Sequence, residues 1–266
     1  MGGELGPGPA EQYNRVVDGV ADLAFSLPGY TASNFPMTLL TELPGSIDAA
    51  TGTDRILANI DMLSDEYRRV VLVALWNNAP NLLFMAEKPV NTLEDLAGLN
   101  IRVPSRNAGL VVQAWGANPV SMPAPEIYNA MQTGVLDGAM IDATTLGAFK
   151  LAEVTNYITT GMDSTISDFF IVMNRDVFGS LDETAQAAIL NAGKAASLNG
   201  HAAWTGVAGG ALESFAATEG KEVITLSDEA AATFNAASTA AVEQILAEAE
   251  AEGLAARAFV EALQAE

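Results

Sequence analysis

Residues 92–142 read TLEDLAGLNIRVPSRNAGLVVQAWGANPVSMPAPEIYNAMQTGVLDGAMID. Thr92-Leu93-Glu94-Asp95 has the form of a capping box, in which Thr92 caps and Asp95 reaches back to it. Leu99-Asn100-Ile101-Arg102-Val103 is a strand, stopped by Pro104. Helices over about 106–115 and 125–133 then alternate with strands over 117–121 and 134–140. Such alternation predicts a parallel sheet with right-handed crossovers. Arg102 is the only strand-borne cation of the stretch. It stands at a strand end facing the next helix N-terminus, where open α/β sheets hold small anionic ligands.

Upstream, residues 9–19 read as a helix, with Tyr13, Val16, Val17 and Val20 at helical spacing. Residues 23–27 form a short strand ended by Pro28-Gly29. Residues 53–69 predict a helix with Ile56, Leu57, Ile60 and Leu63 as its buried stripe. Val70 to Trp76 is a continuous apolar run, the pattern of a strand covered on both faces. Residues 82–86 continue as a crossover strand. Downstream, residues 182–218 are helical for an unusual length, with interior glycines that favour a bend. Residues 223–226 make a short strand, after which Ser227 caps an Ala/Glu-rich helix ending at Gly253.

A length of 266 residues allows one large or two modest domains with ample core. The formal net charge of -21 argues against nucleic acid, which needs a basic face, and against anionic membrane surfaces. A chain so acidic repels anionic ligands unless a local cation overrides its field, which directs attention to Arg102 and Arg106. Without cysteine there is no disulfide, thiolate catalysis or thiolate metal site. No apolar run approaches the roughly 20 residues of a membrane span. No metal-ligand spacing or cofactor motif stands out, and Gly2 to Gly8 lacks the lysine of a phosphate loop and reads as a turn.

The Arg102 guanidinium presents a planar fork suited to a carboxylate, and from the residues alone a salt bridge to a neighbouring acid is an equal reading. Phe169, Phe170, Trp76 and Tyr30 lie near predicted strand ends. They are reasonable walls for a small-molecule pocket, although core packing is the default for Phe169 and Phe170. Tyr30 follows a Pro-Gly turn, and Trp76-Asn77-Asn78 sets an apolar plate beside two amides at the crossover. Asp142 reads first as a helix cap before Ala143-Thr144-Thr145. Trp115 and Trp204 look like helix packing. His201 is the only histidine, and no GxSxG elbow accompanies it, so a catalytic triad has little to rest on.

The ordered run "DL-G-IRVP", "GANPV-MP" and "-Y-A-QTGV-DG" resembles the solute-binding proteins of tripartite ATP-independent periplasmic (TRAP) transporters, the DctP type. So do Gly3-Glu4-Leu5-Gly6-Pro7-Gly8, Val17-Asp18-Gly19-Val20-Ala21-Asp22, Phe35-Pro36, Glu42-Leu43-Pro44 and Asp168-Phe169-Phe170-Ile171-Val172-Met173-Asn174-Arg175. The resemblance implies an α/β, two-lobed periplasmic-binding-protein-like fold with mostly parallel sheets and a long bracing helix. It divides the chain into the remainder of an N-terminal lobe (1–84), a second lobe (85–175) to which residues 168–175 return, and a bracing helix, short strand and C-terminal helices packing on both (176–266). The resembled family opens with a signal peptide and a strand–helix–strand unit that would precede Met1, so a shortened, less stable chain is also an expectation.

The implied function is an extracytoplasmic receptor that binds a small organic acid and delivers it to TRAP membrane permease subunits. Its address would be periplasmic, and it would need no cofactor and carry out no catalysis. Arg102 falls where the family's arginine clamps the solute carboxylate. Two family groups are changed here: a second arginine, in the segment now Asn81-Leu82-Leu83, and the asparagine of "DGQENP", now Asp137-Gly138-Ala139-Met140-Ile141-Asp142. The usual sialic-acid or C4-dicarboxylate recognition is therefore not implied, and a solute carrying a carboxylate and a donor group would suit Arg102 with Asp142. The expected ligand-binding set is Arg102, Asp142, Phe170, Phe169, Tyr30, Trp76 and Asn78. The alternatives are an enzyme on a similar two-lobed scaffold, built on carboxylates and His201, and a non-functional fragment of the receptor.

Overall fold

The computed structural model describes residues 8–265, so most of the Gly2–Gly8 turn and of the Gly3–Gly8 motif lies outside the described residues. Helix α1 (Gln12–Val17) leads into strand β1 (Leu23–Ser26), and α2 (Gly52–Ala58) precedes β2 (Val70–Asn77). Beyond a short crossover come β3 (Leu82–Met85), β4 (Asn100–Val103), α3 (Arg106–Ala114), β5 (Asn118–Ser121) and α4 (Ile127–Gln132). They are followed by β6 (Gly138–Ile141), α5 (Thr145–Ala148), β7 (Tyr157–Thr160), β8 (Asp168–Asn174) and α6 (Arg175–Ser180). The chain ends in the long α7 (Glu183–Ala216), β9 (Glu222–Thr225), α8 (Asp228–Ala251) and α9 (Ala256–Gln264).

Two sheets define two lobes. The first has the order β1-β8-β2, the second β5-β4-β6-β3-β7-β9. In the second, β5 and β6 flank β4 in parallel, as the strand–helix alternation of residues 92–142 requires. β7 and β9 are also parallel, while β3 enters antiparallel to β6 and β7. Residues 168–174 do not stay with the second lobe as the resemblance suggested. They form β8, which crosses back and runs antiparallel between β1 and β2 of the first sheet. Strand order is set by which edge is free to pair, and the apolar pattern of a strand carries no record of that.

Each lobe has its own core. Phe35, Leu40, Leu75, Phe170 and Phe259 pack in the first; Ile101, Val111, Trp115, Met140 and Phe234 pack in the second. The helix expected over 53–69 ends early. At Asn59 the side-chain amide bonds back to the Arg55 carbonyl at 2.9 Å and the backbone leaves helical angles. Asparagine competes with the helix ladder in this way. Ile56 and Leu63 are nevertheless buried as the stripe required.

The capping box at Thr92 and Asp95 is present, opening a 3-10 turn over Leu93–Leu96. α7 lies against β2 through three small residues. A Cβ on Gly193 would fall 1.8 Å from the Val73 carbonyl oxygen, one on Gly200 would meet the Trp76 ring at 3.0 Å, and Ser197 Oγ accepts the Leu75 N–H at 3.0 Å. The interior glycines of the long helix therefore allow close approach to the sheet.

Candidate ligand-binding site

Two chain segments cross between the lobes side by side, residues 78–81 after β2 and residues 165–167 before β8. Their backbones are joined by Asn78 N–H to the Ser167 carbonyl (2.9 Å) and Asn81 N–H to the Thr165 carbonyl (2.9 Å). Side chains complete the join. Asn78 Oδ1 accepts from Ser167 N–H at 2.8 Å, and Asn81 Nδ2 donates to Thr165 Oγ1 and Ser167 Oγ at 3.0 and 3.1 Å. This is the geometry of a hinge, a short paired crossover with few residues to absorb rotation. Away from it the lobes touch directly: Ser105 Oγ donates to Glu42 Oε2 (2.6 Å), Asn107 Nδ2 to the Leu39 carbonyl (3.1 Å), and Ala124 N–H to the Tyr30 hydroxyl (3.1 Å). The lobes are closed.

Between them lies a cavity of about 520 Å³. Phe25, Leu27 and Tyr30 line it from the first lobe, Asn78 and Asn81 from the hinge, and Arg102, Pro104, Asp142, Thr144 and Phe149 from the second. Phe169 at the start of β8 and Trp204 of α7 close the aromatic side.

Arg102 is the penultimate residue of β4, with 2% of its surface exposed. Its Nε donates to the Met122 carbonyl at 2.9 Å and its Nη1 to the Met140 carbonyl at 3.3 Å. The ion pairs among the described residues are Arg106–Glu248 and Arg257 with Glu243 and Glu250, all exposed, and Arg102 is in none of them. Burial lowers its pKa from the usual value; the Tyr30 hydroxyl opposes that at hydrogen-bonding range, as do Asp142 and Glu42 from beyond ion-pair distance. A buried charge left without a counterion costs several kcal/mol, so the site favours an anion at this point.

Asp142, 3% exposed, has both oxygens engaged. Oδ2 accepts from Asn78 Nδ2 at 2.9 Å, while Oδ1 accepts from the Thr144 N–H at 2.9 Å and its hydroxyl at 2.5 Å. It is not the helix cap its position suggested, since Thr144 is the N-cap of α5; Asp142 instead closes the turn just ahead of it and ties that turn to the hinge.

The neighbouring aromatics part company on β8. Phe169 faces the cavity, stacked on Phe25 (5.3 Å between centroids, 5° between planes) and 4.4 Å from Trp204. Phe170 points the other way into the first core, 5.5 Å from Phe35 and 6.3 Å from Tyr13, and does not line the cavity. Trp76 backs the cluster, 5.8 Å from Phe25 and 5.9 Å from Phe169, one layer behind the wall. Of the expected set, Arg102, Asp142, Phe169, Tyr30 and Asn78 meet at one cavity; Phe170 and Trp76 do not reach it. His201 lies outside it, with Nδ1 3.3 Å from the Asn77 carbonyl. Phe25, Asn81, Thr144, Phe149 and Trp204 are cavity residues that the sequence reading did not place there. Alternation along β1 could have found Phe25 and Leu27, which share a face. Among the described residues no group of three or more His, Asp or Glu could hold a metal, and no helix is long and apolar enough to cross a membrane.

The model of the bacterial extracellular solute-binding protein family 7 (DctP) matches residues 2–249. In structure the chain is similar to a marine metagenome TRAP solute binding protein from an unidentified microbe, described as specific for aromatic acid ligands. The TM-score is 0.91 at 28% identity over 98% of this chain and 83% of that one. That protein was solved with metahydroxyphenylacetate and with 3-hydroxybenzoate. A TRAP periplasmic solute binding protein from Bordetella bronchiseptica, with bound (R)- and (S)-mandelate, gives a TM-score of 0.87 at 26% identity over 98% of this chain and 84% of that one. A solute-binding protein of Albidiferax ferrireducens is 27% identical over 187 residues, 68% of this chain and 55% of that protein. The chain thus spans about half the length of the curated relatives it matches.

Proposed function

The chain belongs to the bacterial extracellular solute-binding proteins of family 7, and on that premise we propose that its lobes close over an aromatic monocarboxylate whose carboxylate is held by Arg102. The observation that carries this reading is the buried guanidinium without a counterion, opening on a cavity walled by Phe25, Phe169 and Trp204. One anion clamp facing an aromatic wall suits a ring bearing an acid group. A solute with many hydroxyls would leave most of them facing apolar wall, each at a desolvation cost. The aromatic-acid and mandelate complexes of the similar structures agree with this choice.

Tyr30 and Asn78 complete the proposed contacts, Tyr30 beside the guanidinium and Asn78 at the hinge. Asp142 holds the turn and is available to a ring donor. If such a donor engages it, 3-hydroxybenzoate binds more tightly than benzoate and Asp142→Asn removes the difference. The lobes are taken as the units of the two sheets, with β8 in the first and α7 and α8 bridging both. Delivery to a TRAP membrane permease and a periplasmic address are the family's way of working, carried over to this chain as part of the proposal. The family and the similar solved proteins bind solutes, which sets aside the enzyme reading.

The test is a thermal-shift series with benzoate, 3-hydroxybenzoate, mandelate, glucuronate and succinate on this chain and on Arg102→Ala. A ligand at a hundred times its Kd adds about 2.7 kcal/mol, a rise of roughly 5–10 °C for a chain of this size. An aromatic acid should give that rise and Arg102→Ala should abolish it. A rise with succinate or glucuronate alone, or one that survives Arg102→Ala, sinks the proposal.

A further inference from the structure

Glu42 and Asp168 are buried at the closed junction of the lobes, 1% and 0% exposed. Neither appears in an ion pair among the described residues. Glu42 belongs to the first lobe, but its Oε2 accepts from Ser105 Oγ of the second, and its Oε1 has no partner. Asp168 opens β8; its Oδ2 meets the Thr41 hydroxyl and its Oδ1 has no partner. A carboxylate in such a place neutralises itself by taking a proton rather than stay charged.

Thr41 Oγ1 donates toward Asp168 Oδ2 and also lies 2.7 Å from the Thr38 carbonyl, so its single hydroxyl proton is shared between two acceptors. Asp168 is left with half of one hydrogen bond against complete burial. Glu42 is faced by Ser105 and Arg102 of the second lobe, by Asp168, and by the backbone at Gly29. Asp168 is faced by Thr41 and lies near Tyr67. Burial raises Glu42 to about 8, with Asp168 adding to the rise and Ser105 and Arg102 opposing it, and raises Asp168 to about 7 against the Thr41 bond.

We propose that Glu42 and Asp168 form a proton-binding site that fills as the lobes close, so that the protein takes up protons together with its anionic ligand. Ser105 and Arg102 withdraw from Glu42 when the lobes part, water reaches its carboxylate, and the ionised form returns. A neutral Glu42 leaves the Arg102 charge to the ligand, whereas an ionised one competes for it. The sign follows from closed-state pKa values that are raised. Closure gains from protonation at low pH, and the gain is lost as pH rises through 7 to 8. Each proton taken up changes affinity by up to about tenfold per pH unit. The coupling to ligand rests on the receptor reading above; the coupling to closure does not.

Two measurements separate them. The chain has no cysteine, so a spin-label pair at Asp61→Cys and Val135→Cys, both exposed and one on each lobe, reports the lobe separation directly. Without ligand, separation should widen from pH 6 to pH 9, and Glu42→Gln, Asp168→Asn and the double variant should flatten that response. Calorimetric titration with benzoate in two buffers of different ionisation heat, near pH 7, should show net proton uptake that the double variant loses. A separation independent of pH overturns the proposal, as does benzoate binding with no proton uptake, or uptake unchanged in the double variant. A separation that follows sodium or potassium concentration and not pH also overturns it, in favour of a cation site. If benzoate gives no heat with any of these proteins, that ligand assignment fails and the label distances alone decide the proton site.

Discussion

Asn78 and Asn81 at the hinge have every amide group matched to a partner, whereas Glu42 and Asp168, buried as deeply, each keep one carboxylate oxygen with none. The hinge uses amides, which do not titrate, so its pairing is the same at pH 5 and at pH 9. Beside it stand the two acids: Glu42 is held across the cleft by Ser105, a partner that leaves when the lobes part, and Asp168 by Thr41 of its own lobe. A pivot that must stay fixed and a contact that must break are thus given side chains of different chemistry at similar burial. Satisfied buried networks rigidify, and a partly satisfied one is poised to change.

The largest effect should come from breaking the satisfied side. Asn81→Ala strands the Thr165 and Ser167 hydroxyls and should cost about 2–4 kcal/mol, a drop of roughly 4–16 °C in Tm by differential scanning calorimetry. A change within the error of the melt would mean that water replaces the amide and the hinge is not a closed network. Ser105→Ala removes both the cap of α3, which accepts the Ala108 N–H at 3.2 Å, and the Glu42 bond. It should cost about 1–2 kcal/mol and should lower ligand affinity in the same titrations, because the lost contact spans the lobes. Thr41→Val should cost about 1 kcal/mol and raise the pH at which Asp168 ionises, because the Thr41 bond favours the ionised form, seen as a displaced melting profile; an unmoved profile would disconnect Thr41 from that titration.

The smallest change at neutral pH, and the sharpest comparison, is Glu42→Gln. Raised acids contribute stability that is present below their unfolded pKa and lost as pH rises through about 7 and 8. The variant should therefore gain on the parent protein steadily from pH 5 to 9, and parallel melting curves would show that Glu42 does not titrate there.

Much of this was legible beforehand. Arg102 stood out as the one strand-borne cation of its stretch, at a strand end facing a helix N-terminus, although the residues alone left a salt bridge equally open; the parallel order of β4, β5 and β6 follows from strand–helix alternation. Tyr30 was readable from its turn. The alternation that separates Phe169 from Phe170 was also visible, but which of the two faced inward depended on the sheet they joined, and β8 joined the first. Trp76 and Trp204 exchanged roles for a related reason, since the close packing of α7 at Gly193 and Gly200 brings Trp204 to the wall. Glu42 and Asp168 fall in stretches that carry the resemblance, but nothing there singled out their carboxyl groups. In a chain with 33 acids, burial together with an unpartnered oxygen is what sets these two apart, and that is a tertiary property.

α8 is a single helix from Asp228 to Ala251, yet Phe234 and Ala241 are rooted in the second core while Ile245, Leu246 and Ala249 are rooted in the first. A rod clamped in two bodies resists their rotation as a leaf spring does. Parting the lobes must bend or twist α8, and helices tolerate only gentle curvature without a proline or a bulge. The strain is returned on closing, so the resting aperture of the cleft depends on the stiffness of a helix that touches no part of the cavity.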